Sequence, residues 1–121
     1  MAINKVLLVD DSPTDLANIR SIVADAGYSV LTATTGNEAV KIAKNESPDL
    51  IFMDIVMEGA DGYDACREIS QNDDTRSIPV IFVSSKNQKA DRVWAELQGG
   101  KAFITKPYTP EQILEHITAL N

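Results

Sequence analysis

At 121 residues, 44% hydrophobic and 24% charged, the chain has the size and composition of one globular domain with a single sizeable core, not of a disordered segment. Its formal net charge of −7 speaks against a nucleic-acid surface, which needs clustered Lys and Arg. A single cysteine (Cys66) excludes an internal disulfide, and with a single histidine (His116) the composition speaks against a Cys/His zinc site; the apolar runs are of strand length, short of a membrane span.

The first apolar run, Val6-Leu7-Leu8-Val9, predicts a strand over 5–9. Ser12-Pro13 then sets a capping residue before a proline at the first helical position, and Leu16, Ile19, Val23 and Ala26 follow at helical spacing. A second strand falls at 29–33, and Thr35-Gly36-Asn37-Glu38 opens the next helix with capping-box spacing. Leu50-Ile51-Phe52-Met53 is apolar at every position, as a strand buried on both faces requires. Helices near 62–72 and 89–98 flank a fourth strand at 80–83, and Gly99-Gly100 stops the latter helix. After a fifth strand at 102–105, Thr109-Pro110-Glu111-Gln112 repeats the capping-box spacing, with Ile113, Leu114, Ile117 and Leu120 on one stripe. Apolar runs alternating with helical segments predict an α/β fold on a parallel sheet. Five such units use up residues 1–121, so one domain with no attached output domain is expected. Met1-Ala2-Ile3-Asn4 leads straight into the first strand without room for a signal peptide, and a cytoplasmic protein is expected.

Four strands end in chemistry-bearing residues: Asp10-Asp11, Asp54, Ser84 and Lys106-Pro107. In an open parallel sheet such ends converge at the carboxyl edge, where these folds place ligands. Two carboxylates at ~4 Å and an effective dielectric of ~20 repel by about 4 kcal/mol, or roughly three pKa units. Asp10, Asp11 and Asp54 together therefore call for a cation, and Mg²⁺, which takes oxygen ligands and shares them with phosphates, suits them. Lys106 would support developing charge, Ser84 would donate a hydrogen bond, and a carboxylate could serve as nucleophile. Alone, Asp10 or Asp11 reads equally well as a turn residue or helix cap, and Ser84 or Lys106 reads more simply as a solvated loop residue. Their joint placement on strands one, three, four and five does not.

With these residues in view, the chain resembles the receiver domain of two-component response regulators over essentially its whole length. LLVDDS at 7–12, D-I-V-M at 54–57 with D-G at 61–62, V-S-S at 83–85 and K-P at 106–107 fit the family pattern in order. The resemblance implies a doubly wound five-stranded parallel sheet in order 2-1-3-4-5 flanked by five helices, the flavodoxin-like receiver fold. It implies a phosphorylation-activated signalling switch, not an enzyme with a separate substrate, in which Asp54 accepts a phosphoryl group from a histidine kinase. Asp11, Asp54 and the Val56 carbonyl would bind Mg²⁺, with Asp10 acting through water. Lys106 would pair with the phosphoryl group, while Ser84 and then Phe103 would carry the switch. The Lys106-Pro107 peptide is expected to be cis. Output is expected through a protein partner on the surface of helix four, strand five and helix five, without nucleic acid or membrane insertion, from a monomer or weak dimer.

Asp91-Arg92-Val93-Trp94 and Gln98-Gly99-Gly100 resemble, more narrowly, stand-alone regulators of twitching-motility and chemotaxis-like systems (PilH-type). Trp94 has core filler as its alternative reading. Two positions depart from the family: Glu58 stands where proline is usual, and Gly100 replaces a common alanine, which predicts a looser turn into strand five. The resemblance also puts Val56 and Lys86 beside the path of a hydrolytic water, so slow self-dephosphorylation is expected.

Competing functions fit less well. A haloacid-dehalogenase phosphatase places its nucleophile on strand one with a second Asp two positions on, a spacing that Asp10-Asp11-Ser12 lacks. A flavin carrier needs a small, hydroxyl- and glycine-rich phosphate loop, where Asp10-Asp11 would repel the ligand. A docking module independent of phosphate would not need the acidic site. Cys66 is expected to be partly buried on a helix, His116 to sit near a helix C-terminus, and Met53 and Met57 to be packing residues.

Overall fold

Strands and helices alternate in a computed structural model that describes residues 2–57, 61–86 and 88–121. They are β1 (Lys5–Val9), α1 (Pro13–Asp25), β2 (Ser29–Ala33), α2 (Gly36–Glu46), β3 (Leu50–Met53), α3 (Gly62–Gln71), β4 (Val80–Ser84), α4 (Lys89–Leu97), β5 (Ala102–Thr105) and α5 (Pro110–Leu120). The strands form one parallel sheet, as the alternation of elements predicts, in the order β2-β1-β3-β4-β5 that the family resemblance implies.

Side chains alternate across each strand, so the sheet has two apolar faces. Leu7, Val9, Ile51, Met53, Val80 and Phe82 point to one face, where Ala39 and Ala43 of α2, Cys66 and Ile69 of α3 and Ala95 of α4 cover them. Val6, Leu8, Leu50, Phe52, Ile81 and Val83 point to the other, against Ile19 and Val23 of α1 and Ile113 and Ile117 of α5. Both faces of β1, β3 and β4 are thus dry, which explains why those strands read as unbroken apolar runs.

The helix starts are set by local chemistry. Ser12 Oγ accepts from the Asp15 amide, Thr35 Oγ1 from Glu38, Asp61 Oδ1 from Asp64 and Thr109 Oγ1 from Gln112. At Thr109 the box is reciprocal, since Gln112 Oε1 accepts from the Thr109 amide; Glu38 reaches one residue further back, to the Thr34 amide. The helix ends differ slightly from expectation. Ala26 follows α1 as its exposed C-cap instead of extending the buried stripe.

Gly99 ends α4 with φ +101°, a left-handed conformation that glycine adopts without steric cost. Gly100 does not loosen the turn. A Cβ there would stand 2.7 Å from the Phe82 ring and 2.9 Å from the Ala95 carbonyl oxygen, so its bare Cα permits close packing of the α4–β5 turn on the sheet. Among the described residues no helix is long and apolar enough to cross a membrane.

Candidate metal and phosphoryl site

The chain leaves β1 for β2 on one side and returns to β3 on the other, which opens a crevice at the carboxyl ends of β1 and β3. The backbone ladder runs one residue past the strands there. The Asp10 amide donates to the Ala33 carbonyl, Asp54 to Val9 and Lys106 to Ser84, at 3.1, 2.9 and 2.9 Å. These bonds fix the Cα positions of the three residues against the sheet.

Asp10, Asp11 and Asp54 each place a carboxylate oxygen within 4.8 Å of the others. Asp10 and Asp54 are buried, 5% and 8% exposed, whereas Asp11 opens to solvent. Asp54 Oδ1 accepts from the Ile55 amide at 2.8 Å, and Asp10 Oδ1 from the Ser12 amide at 2.9 Å. Lys106 closes the cluster: its Nζ lies 2.9 Å from Asp10 Oδ2, 2.9 Å from Asp15 Oδ2 and 3.8 Å from Asp54 Oδ2. The Lys106–Pro107 peptide is cis, as expected.

The electrostatics follow from this crowding. Burial raises the Asp54 pKa to about 6 from 3.8; Lys106 and the Ile55 amide pull it down, and the charges of Asp10 and Asp11 push it further up. Burial works against the Lys106 ammonium, but hydrogen bonds to Asp10 and Asp15 and the charges of Asp54 and Asp10 outweigh it and hold the group protonated. One ammonium among these acids leaves net negative charge at the cleft. Three close carboxylates of hard oxygen donors fit a hard divalent cation, and a soft-metal set is ruled out at this cluster by its lack of sulfur or imidazole.

The other expected residues are spread around this centre. Ser84 ends β4, buried, and its Oγ accepts from the Lys86 amide at 3.3 Å, so the hydroxyl is engaged with its own loop. Phe103 lies on β5, half-buried, with the Arg92 guanidinium 5.1 Å above its ring centroid. Arg92 also donates to Thr105 Oγ1 at 3.0 Å, a link between α4 and β5 that no local sequence signal announces. Val56 follows Asp54 by two positions and is 60% exposed. Lys86 turns toward α4, its Nζ 3.9 Å from Asp91 Oδ1. Glu58 lies outside the described residues.

Two residues have contacts that their place in the sequence does not announce. Asp15 looks like an ordinary first-turn acid of α1, yet it shares Lys106 with Asp10 across 91 positions. Gly62 packs so closely that a Cβ would fall on the Asp54 carbonyl oxygen, and its amide donates to the Ile55 carbonyl at 2.8 Å. The Asp61-Gly62 pair carried that signal as a motif, without its reason.

Cys66 is fully buried, not partly: its thiol contacts the Gln98 carbonyl at 3.4 Å, and burial pushes its pKa up to about 11, which leaves it inert. Trp94 is not core filler. It is 49% exposed, edge-on to Tyr63 of α3 with ring centroids 6.4 Å apart, and stands beside exposed Val93 and Leu97. His116 Nδ1 donates to the Gln112 carbonyl one turn back, at 2.7 Å.

A doubly wound parallel sheet whose carboxyl-edge crevice gathers three carboxylates and a lysine amine defines an α/β class shared by many proteins, and the comparisons narrow it. The family model described as the response regulator receiver domain matches residues 6–118, and the chain belongs to that family. Protein PilH of Pseudomonas aeruginosa is 40% identical over 116 residues, 96% of each chain. The chemotaxis protein CheY4 of Vibrio cholerae superposes with a TM-score of 0.92 at 26% identity, covering 99% of this chain and all of that one. The receiver domain of the sensor histidine kinase PA1611 of P. aeruginosa, solved with a magnesium ion coordinated in its active-site cleft, gives a TM-score of 0.90 at 28% identity over 98% and 97% of the two chains.

Proposed function

We propose that this receiver domain is a stand-alone phosphorylation switch in which Asp54 accepts a phosphoryl group from a histidine kinase. The observation that carries the reading is the joint position of Asp54 and Lys106 in the acidic crevice, with Nζ 3.8 Å from Oδ2. In the transfer, an Asp54 carboxylate oxygen attacks phosphorus while the P–N bond of the phosphohistidine breaks. The imidazole leaves with the bonding electron pair and takes up a proton from solvent, and an acyl phosphate remains on Asp54. The Lys106 ammonium would offset the charge gathered on the moving oxygens.

Mg²⁺ is the proposed cofactor. Asp11, Asp54 and the Val56 carbonyl would hold it, Asp10 through water; the raised Asp54 pKa and the close carboxylates support a cation there. When bound, the ion supplies neutralisation of phosphoryl oxygen charge. The Ser84 hydroxyl, which accepts from the Lys86 amide, is the proposed reporter, and Phe103 the residue that follows it.

Output is proposed to run through protein contact at α4, β5 and α5. The exposed Val93, Trp94 and Leu97 on α4 support a docking surface there, since large apolar side chains clustered in water favour burial against a partner. The likeness to PilH, which the chain matches over 96% of both lengths, supports the stand-alone reading and a place in chemotaxis-like or twitching control, in the cytoplasm. Phosphotransfer profiling against the histidine kinases of its own cell tests the assignment. One kinase should transfer to the wild type within the time its own label persists and not to Asp54→Asn. Equal transfer to both proteins would overturn it.

A further inference from the structure

Lys106 approaches three carboxylates, and only two of the approaches are hydrogen bonds. Nζ is 2.9 Å from Asp10 and from Asp15, whereas 3.8 Å from Asp54 lies beyond N–H···O range. Asp10 is fixed: it is buried, and its second oxygen holds the Ser12 amide. Asp15 differs. Its side chain is 46% exposed, and it stands in the first turn of α1, where the helix dipole favours an acid with or without Lys106. Water is at hand to replace the ammonium whenever Asp15 lets go.

We propose that Asp15 is a positioning residue that holds Lys106 Nζ short of Asp54 in the unphosphorylated protein and releases it to the incoming phosphoryl group. The inference rests on the reading of Asp54 as acceptor. An ammonium has three N–H donors. In the resting arrangement two of them serve Asp10 and Asp15. A phosphoryl group brings up to about two negative charges and three strong acceptor oxygens, and outcompetes a half-exposed carboxylate.

The Asp15 contact therefore belongs to the ground state and is lost on the way to the transition state, so it adds to the barrier of phosphorylation. Once the acyl phosphate has formed the contact is already broken, and hydrolysis does not sense it. An ion pair open to water is weak, so the effect is severalfold and not larger.

The test measures two rates for wild type and Asp15→Asn in excess Mg²⁺: phosphorylation by acetyl phosphate and by the less negatively charged phosphoramidate, and decay of the purified phosphoprotein. The expected result is phosphorylation about two- to fivefold faster in Asp15→Asn with either donor, with decay unchanged. Wild-type phosphorylation rates in the variant would overturn the proposal. So would an acceleration with acetyl phosphate alone, which would mark simple repulsion of an anionic donor, or equal changes in phosphorylation and decay, which would mark a structural role. If the wild type takes no phosphoryl group on Asp54, the reading beneath the inference fails instead, and the two failures are told apart by that control.

Discussion

Asp54 ionises against its surroundings, and this has a measurable consequence. Its pKa is raised from 3.8 to about 6, first by burial, so the folded protein binds that proton more tightly than the unfolded chain. The sign follows: the contribution is fully present below pH 3.8 and is lost as pH rises through about 6, so ionised Asp54 destabilises the fold at neutral pH. At face value the shift corresponds to ~3 kcal/mol, and solvent at the cleft mouth reduces this to ~1–2 kcal/mol. Asp54→Asn should therefore unfold at higher urea than wild type at pH 8 in metal-free buffer, with the gain shrinking toward pH 5. A loss at pH 8, or the same gain at both pH values, would contradict this origin of the shift. At this scale the sequence made Asp10, Asp11, Asp54 and Lys106 legible because each follows an apolar run. Asp15 was not legible as a partner of Lys106, because helical position says nothing about a contact 91 residues away.

The elements were legible where their punctuation is local. Ser12-Pro13, Thr35 and Thr109 cap the helices that their spacing announces. What local patterns could not give is how elements lean on one another. Gly100 illustrates this: read alone it suggests a loose turn, and in place it lets the turn after α4 close on Phe82. Gly100→Ala, a return to the residue common in the family, should then destabilise the protein by about 1–3 kcal/mol through overpacking, unless the Phe82 ring can shift. Urea unfolding of the variant checks it, and a neutral or stabilising result would show that the ring gives way. An open face on α4 is expected from the family resemblance, not from spacing. The helical spacing of Val93, Trp94 and Leu97 is that of a core stripe, and only the packing of Ala95 toward the sheet shows that they face outward.

The whole molecule is a device for bringing distant strand ends to one crevice. Buried strands read as apolar runs and βα alternation reads as a parallel sheet, so the fold class follows from composition and spacing. The order β2-β1-β3-β4-β5 follows from neither; it came with the family resemblance and stands in the structure. Periodicity likewise could not tell that α1 and α5 share one face and α2, α3 and α4 the other. Net charge hides a further asymmetry. Over residues 86–101 four cations (Lys86, Lys89, Arg92 and Lys101) meet two acids (Asp91 and Glu96), although the chain as a whole is acidic at −7. Under the proposed function the acidic crevice would receive the signal and the apolar face of α4 would present it. The central claim is that Asp54 is the acceptor. Intact-protein mass spectrometry after incubation with acetyl phosphate and Mg²⁺, wild type beside Asp54→Asn, tests it most directly. The account predicts a single added phosphoryl group, lost on hydroxylamine treatment, on the wild type and none on the variant; an unmodified wild type, or an equally modified Asp54→Asn, would contradict it.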